Sequence, residues 1–405
     1  MVQERLGDEA PGLSVEGPKR RSPWRRAAVV GLSVWAVSRL GLLVVTLLAG
    51  YVDDYDDQDF GIALHQPTLN LFGVWDRLDA NRFAGIGENG YTDSDSAAFF
   101  PLFPGLIKAV AYLTFGNTVL AGFIVANLAF IGALVVLHRL VEHEFAEATA
   151  RRAGWLLVTF PTALFLGVGY NMSLFVLLAA GCWYAMRRER WWLAGALGGL
   201  AAATRSTGVV LTVPFIYEYL RQHRWRPSWR GAAVGLIPGG LGCVVALFWV
   251  VYGDPLAYVH AQRDGWGNRL DWPWAATIEA VRAWMSSPLK LGRNPSHDLL
   301  AIACVVLLLA TSVAAFVGPL RFRRDQYGLA LFAVAATILA LSAHVTNKNL
   351  PLPLMSLPRR ALEVFPVFIV LARIERDWFQ RAYLFVALPV QGMLIAAYAL
   401  DYWVE

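Results

Sequence analysis

Six apolar runs constrain any fold of this 405-residue chain: Ala27–Gly50, Val119–His138, Gly231–Tyr252, Leu299–Gly318, Leu329–His344 and Ala382–Leu400. Each approaches the ~20 residues that an α-helix needs to cross ~30 Å of hydrocarbon. None alternates over ~10 residues as a membrane barrel strand would. The sequence is 57% hydrophobic and only 16% charged, too sparse in charge to solvate a soluble protein of that size. The expected fold class is therefore an all-α polytopic membrane protein.

Charge placement sets the expected threading. Of the 35 Lys and Arg, 22 fall in the N-terminal segment or in short loops at 139–152, 187–190, 221–230, 321–324 and 373–381. Short basic loops stay cytoplasmic, so the N-terminus is expected inside and the net charge of +5 is not a nucleic-acid footprint. Residues 1–26 read as a basic, disordered tail and 27–405 as one transmembrane domain. Residues 51–118 form a first extracytoplasmic loop, whose 51–98 portion holds ten acidic residues against only Arg77 and Arg82. Phe99–Phe115 carries Pro101, Pro104 and Lys108 and is expected to be interfacial or re-entrant, because a full crossing there would turn every later basic loop outward. The chain then threads on to a total of about eleven spans, the first included, with a second outer loop at 253–298 and the C-terminus outside.

Polar residues at the membrane edge are functional candidates. Those on the outer side gather in five segments. The first runs from Trp75-Asp76 through Asp79 to Tyr91 and Phe99-Phe100-Pro101, where a carboxylate among aromatics suits a general base for a hydroxyl acceptor. The others hold Asn171, Arg205, Gln262 with Trp266, and Arg359-Arg360. An arginine at an outer helix turn can hold a phosphate by bidentate hydrogen bonds. Asp53, Asp54, Asp56 and Asp57 read as a solvated acidic face, and Arg39 in the first span as a structural residue that either snorkels or pairs with Glu363. The seven histidines form no metal-ligand spacing, no metal site is expected, and Cys182, Cys243 and Cys304 read as small hydrophobes. With no Walker loop and no GxGxxG, a nucleotide site is not supported and no cofactor is expected.

Leu-Asp-Ala-Asn-Arg-Phe…Ile-Gly-Glu-Asn-Gly-Tyr (78–91) followed by Phe-Phe-Pro-Leu-Phe-Pro (99–104) resembles the first-loop signature of the glycosylphosphatidylinositol mannosyltransferase II (PIG-V) family. Further likeness lies in Phe160-Pro161…Tyr170-Asn171-Met172-Ser173-Leu174-Phe175, Thr204-Arg205-Ser206-Thr207-Gly208, Gly253–Trp274 and Ser356–Pro366. Aligned back from Gly90-Tyr91, the family aspartate falls on Asp79 rather than Asp76. The family tryptophan falls on Leu78, which leaves Trp75 as a substitute stacking residue. Met172 stands where the family has glutamate, and Arg360 where it has tyrosine.

The resemblance implies a GT-C-like bundle of about eleven transmembrane helices, a member of bacterial origin, and a mannosyltransferase fed by a polyprenyl-phosphate-linked sugar. Asp79 would be the catalytic base. Trp75, Asp76, Tyr91, Asn171, Arg205, Gln262, Trp266, Arg359 and Arg360 would bind substrate, with Arg205 and Arg359 on the lipid phosphate. The expected partners are the lipid-linked donor and membrane lipids. The rival expectation is a non-catalytic membrane protein, either a transporter of lipid-linked substrates or an assembly subunit.

Overall fold

The computed structural model describes residues 22–60, 73–226, 228–286, 293–346 and 353–404, with side chains described outside 52–60 and 293–297. The first 21 residues of the basic tail and the side chains of Asp53, Asp54, Asp56 and Asp57 lie outside the described residues.

The chain is helical throughout, in the order α1 (Pro23–Phe60), α2 (Asp79–Asn89), α3 (Leu102–Ala111), α4 (Thr118–Glu144), α5 (Glu147–Val158), α6 (Met172–Arg187), α7 (Trp191–Thr204), α8 (Thr212–Gln222), α9 (Leu236–Tyr252), α10 (Ala257–His260), α11 (Ala275–Ser286), α12 (Arg293–Ala314), α13 (Tyr327–Leu341), α14 (Leu357–Arg360), α15 (Pro366–Ala372) and α16 (Asp377–Ala399). Five helices among the described residues are long and apolar enough to cross a membrane: Pro23–Tyr51, Thr118–Glu144, Trp229–Tyr252, Arg324–Leu341 and Asp377–Ala399. The other expected crossings are shorter helices, extended in places by 3₁₀ turns. Helix α3 has 10 residues, about 15 Å of rise, too little to cross the bilayer.

Long helices form the outer wall. Val37, Leu40 and Leu48 of α1, Trp249 and Val250 of α9, and Phe385 and Val386 of α16 are exposed apolar side chains that suit a lipid surface. The shorter α6, of 16 residues, lies within, and Phe175, Ala179, Cys182 and Met186 on it are fully buried. Association without water between apolar helices depends on close packing. It is tightest where α7 crosses α9: a Cβ on Gly240 would fall 2.0 Å from the Gly199 carbonyl oxygen.

Two departures from the sequence expectation bear on the site. The span expected over Leu329–His344 ends at Leu341, where the chain turns into a strand, β2 (Ala343–Val345). This pairs antiparallel with β1 (Asn268–Leu270) from the expected second outer loop, in register Asn268↔Val345, Arg269↔His344 and Leu270↔Ala343. The first loop also starts later than Tyr51, because α1 continues to Phe60.

Ion pairs lock the end of the bundle where the basic loops meet. Arg187, at the end of α6, donates to Glu144 of α4 at 2.5 and 3.0 Å and to Glu218 of α8 at 2.9 Å, and its Nη1 also donates to the Asp325 carbonyl at 2.9 Å. Arg221 donates to Glu218 at 2.6 Å, and Gln326 donates to the Glu144 carbonyl at 2.8 Å. At the same end Arg26 of α1 pairs with Glu142 of α4, and Arg152 of α5 donates to the Ala372 carbonyl and to Glu375.

Candidate active site

The other end of α6 opens on a cavity of about 450 Å³. Its floor is built by chain turns in which backbone geometry sets the side chains. Leu78 adopts φ 52° and ψ −130°, a conformation costly for a residue with a Cβ, and the chain then enters α2 with Asp79 as its first residue. Ser356 adopts φ 64° and ψ 0° just before α14, which carries Arg359 and Arg360. Two strained turns therefore present the residues that meet: Arg359 Nη1 donates to Asp79 Oδ2 at 2.6 Å. The Arg359 guanidinium lies over the rings of Tyr170 at 5.2 Å and Phe165 at 5.5 Å, and the Asp79 backbone N–H donates to the Tyr170 hydroxyl at 3.2 Å. Asp79 Oδ1 accepts no hydrogen bond among the described residues.

A second charged pair lies beside the first. Arg205, just past α7, donates to Asn171 Oδ1 at 2.7 Å, and its Nη2 contacts Glu363 Oε1 at 2.8 Å. Asn171 in turn donates to the Thr204 carbonyl at 3.0 Å, and Thr207 donates to Glu363 Oε2 at 2.6 Å. Arg360 lines the same cavity, and no carboxylate lies within ion-pair distance of it among the described residues.

The roof is the segment after α9. Gln262 and Trp266 line the cavity, with Gln262 Oε1 accepting from Asn268 Nδ2 at 2.9 Å and the Trp266 ring edge-on to Phe99 at 5.9 Å. Two Asp–His pairs fasten this segment. The hydrogen bond from His260, with the backbone N–H of Leu256, holds the Asp254 carboxyl below its ordinary pKa. The backbone N–H of Trp272 and then the His344 ring do the same for Asp271.

The cavity thus brings together Asp79, Asn171, Arg205, Gln262, Trp266, Arg359 and Arg360. It leaves out three residues that the sequence placed with them. Trp75 is buried and stacks on Tyr398 at 5.9 Å, so its ring is not open to a sugar. Asp76 lines a separate void of about 10 Å³ and accepts from Asn81 at 3.3 Å. Tyr91 donates to the Phe99 carbonyl at 2.7 Å and packs against Phe248 and Tyr252, so it clamps the loop. The Arg39–Glu363 pair, one of the two uses expected for Arg39, does not form. Arg205 takes the carboxylate, while Arg39 lies over Phe130 at 5.2 Å in space that a Cβ on Gly167 would fill. Conversely, Glu363, Thr207, Ser206 and Tyr258 line the cavity although the sequence did not place them among the site residues. Among the described residues no cluster of His, Cys, Asp and Glu suits a metal.

Comparison with known proteins finds relatives among sugar-transferring enzymes. A segment of the chain is 34% identical over 157 residues to GPI alpha-1,6-mannosyltransferase 2 of Mus musculus, covering 36% of this chain and 31% of that protein. Another match is 31% identical over 149 residues to GPI mannosyltransferase 2 of Yarrowia lipolytica, covering 36% of this chain and 40% of that one. The matched part is thus about a third of the length of these relatives, and it bears out the kinship expected from the loop motifs. Among solved structures, the Archaeoglobus fulgidus oligosaccharyltransferase in the apo form aligns with TM-score 0.44 and 11% identity over 93% of this chain and 56% of that one. ArnT from Cupriavidus metallidurans bound to undecaprenyl phosphate aligns with TM-score 0.40 and 14% identity over 82% and 77%. Those likenesses are too distant to assign residues. The family model Glycosyltransferase family 87 matches residues 100–343, more than half of the sequence, and the chain belongs to that family.

Proposed function

We propose that the chain is a membrane glycosyltransferase that moves mannose from polyprenyl-phosphate-mannose to a hydroxyl acceptor, with inversion, at the extracytoplasmic end of the bundle. The observation that carries this reading is that Arg360 faces the cavity holding Asp79 without an ion-pair partner among the described residues. Arg205 and Arg359 were the first candidates for the lipid phosphate, but each is already opposed by a carboxylate. Arg360, like Arg269 of β1, is a guanidinium of the cavity whose charge a phosphate can neutralise, and Arg359 lies next to Arg360 in the chain.

The reaction follows from these positions. Asp79 Oδ2 is held by Arg359, which leaves Oδ1 to take the proton from the acceptor hydroxyl. The acceptor oxygen forms a bond to the anomeric carbon as the bond from that carbon to the phosphate oxygen breaks. The electron pair leaves on polyprenyl phosphate, whose growing charge Arg360 and Arg359 meet. One displacement on the opposite face of the sugar gives inversion. Trp266 and Phe99 supply rings at the cavity wall for the sugar. The apolar side chains Leu241, Val259 and Leu339 supply surface for the start of the isoprenoid chain.

The test is a membrane assay with labelled polyprenyl-phosphate-mannose, in which the labelled product is identified by mass spectrometry. Transfer by the native protein and its loss in Asp79→Asn is the expected result. Full transfer by Asp79→Asn overturns the assignment.

A further inference from the structure

The resemblance places a glutamate at position 172, where this chain has Met172, a side chain with 0% exposure inside the bundle. A carboxylate nevertheless stands in the cavity wall, contributed by a different element. Glu363, at the end of a 3₁₀ turn that follows α14, is 2% exposed, and α6, which begins with Met172, packs against this turn. A buried charge persists only when it is paired and hydrogen-bonded. Thr207 supplies the hydrogen bond to Oε2 and Arg205 the opposing charge at Oε1.

The geometry of that pair separates its two functions. Arg205 Nη1 makes a directed hydrogen bond to Asn171, while its Nη2 approaches Glu363 Oε1 as an ion contact that lies off the hydrogen-bonding direction. Asn171 therefore aims one arm of the guanidinium, and Glu363 supplies the field that holds the plane in the cavity wall. The remaining N–H groups stay available to an oxygen of the substrate.

We propose that Glu363 is the positioning carboxylate of this site: it fixes Arg205 and supplies from the turn after α14 the negative charge that Met172 does not. It acts through Arg205 and is not the base. Its charge also offsets one of the cavity's arginines, so it limits how tightly the phosphate product is held. Fixing Arg205 and moderating anion affinity change different kinetic quantities.

This inference rests on reading the cavity as the donor-phosphate site, and the experiment separates the two. Binding of undecaprenyl phosphate and turnover are measured for the native protein, Glu363→Gln, Arg205→Gln and the double variant. Glu363→Gln keeps the shape but removes the charge. The expected result is undecaprenyl phosphate bound about threefold to tenfold more tightly, the scale of one partly screened charge, together with a turnover lower by about tenfold or more. A residue needed only for folding would weaken both. In the Arg205→Gln background, Glu363→Gln should lower turnover no further, because the positioning effect runs through Arg205, and this comparison remains decisive if the single Glu363 variant does not fold. A further loss in the double variant, or weaker phosphate binding by Glu363→Gln, overturns the proposal. Failure of the native protein to bind undecaprenyl phosphate overturns the donor reading instead.

Discussion

Helix α6 ends in charge at both of its termini, and the two clusters are built to different rules. At the Arg187 end, Glu144, Glu218 and Asp325 surround one arginine, and Arg221, Gln222 and Gln326 take up the remaining oxygens. Carboxylates match or exceed cations there. At the Asn171 end, Asp79 and Glu363 face Arg205, Arg359 and Arg360, and Arg269 also lines the cavity without an ion pair among the described residues, so positive charge exceeds negative there. The first arrangement pairs its own charges and fastens α4, α6 and α8. The second leaves an excess of positive charge, which on the proposed function an anion meets. A buried ion cluster therefore says little about function until its charges are summed and its open volume is located.

Substitutions can break this contrast, beginning with the largest effect. Asp79→Asn should lower sugar transfer by about 10²–10⁴-fold, the usual worth of general-base assistance. Asparagine still accepts from Arg359, so the thermal unfolding midpoint in detergent should stay close to native. Arg187→Met should do the reverse. Leaving Glu144 buried without its arginine, and Glu218 with Arg221 alone, should cost about 3–5 kcal/mol of stability, read by thermal unfolding, while undecaprenyl phosphate affinity in the surviving folded protein stays native. Arg360→Gln should weaken undecaprenyl phosphate binding on the order of thirtyfold, ~2 kcal/mol, with little change in unfolding; an equal loss of stability would make Arg360 another structural cation. The smallest effect should come from Thr207→Val, which removes the hydrogen bond to Glu363. Turnover should fall about fivefold, or ~1 kcal/mol, and unchanged turnover would show that Glu363 needs no such support.

Much of this contrast was legible in the sequence, and its gaps have physical causes. Loop arginines located the locked end, because charge bias among short loops is a property of local composition. The spacing of Asp79 to Gly90-Tyr91 singled out a carboxylate that does line the cavity, because α2 and the turn after it are continuous in the chain. Trp75 and Asp76 were misplaced for a conformational reason: the backbone reverses at Leu78, so residues on either side of it face different volumes. Tyr91 sits in the right motif but closes a loop through Phe99, a use that its spacing alone does not distinguish from binding. Glu363 was seen but given to Arg39. Its partners Arg205 and Thr207 lie more than 150 positions earlier, and no local pattern connects them. The β1–β2 ribbon escaped notice because each strand has only three residues and continues an expected span or loop.

The unequal lengths of the helices have a consequence for where the reaction takes place. The 16 residues of α6 rise only about 24 Å, whereas the 27 residues of α4 rise about 40 Å. Short helices enclosed by long ones make a well. In a bilayer whose hydrocarbon is ~30 Å thick, the bottom of such a well, marked by Asn171, lies below the level of the lipid headgroups. On the proposed function, a phosphate drawn down to Arg360 would leave bulk water behind, and each charge it met would act through a lower dielectric than at the membrane surface. The depth of the well then favours a substrate that carries its own hydrocarbon, because a tail in the surrounding lipid can follow the headgroup down while a freely soluble sugar phosphate gains nothing from the descent.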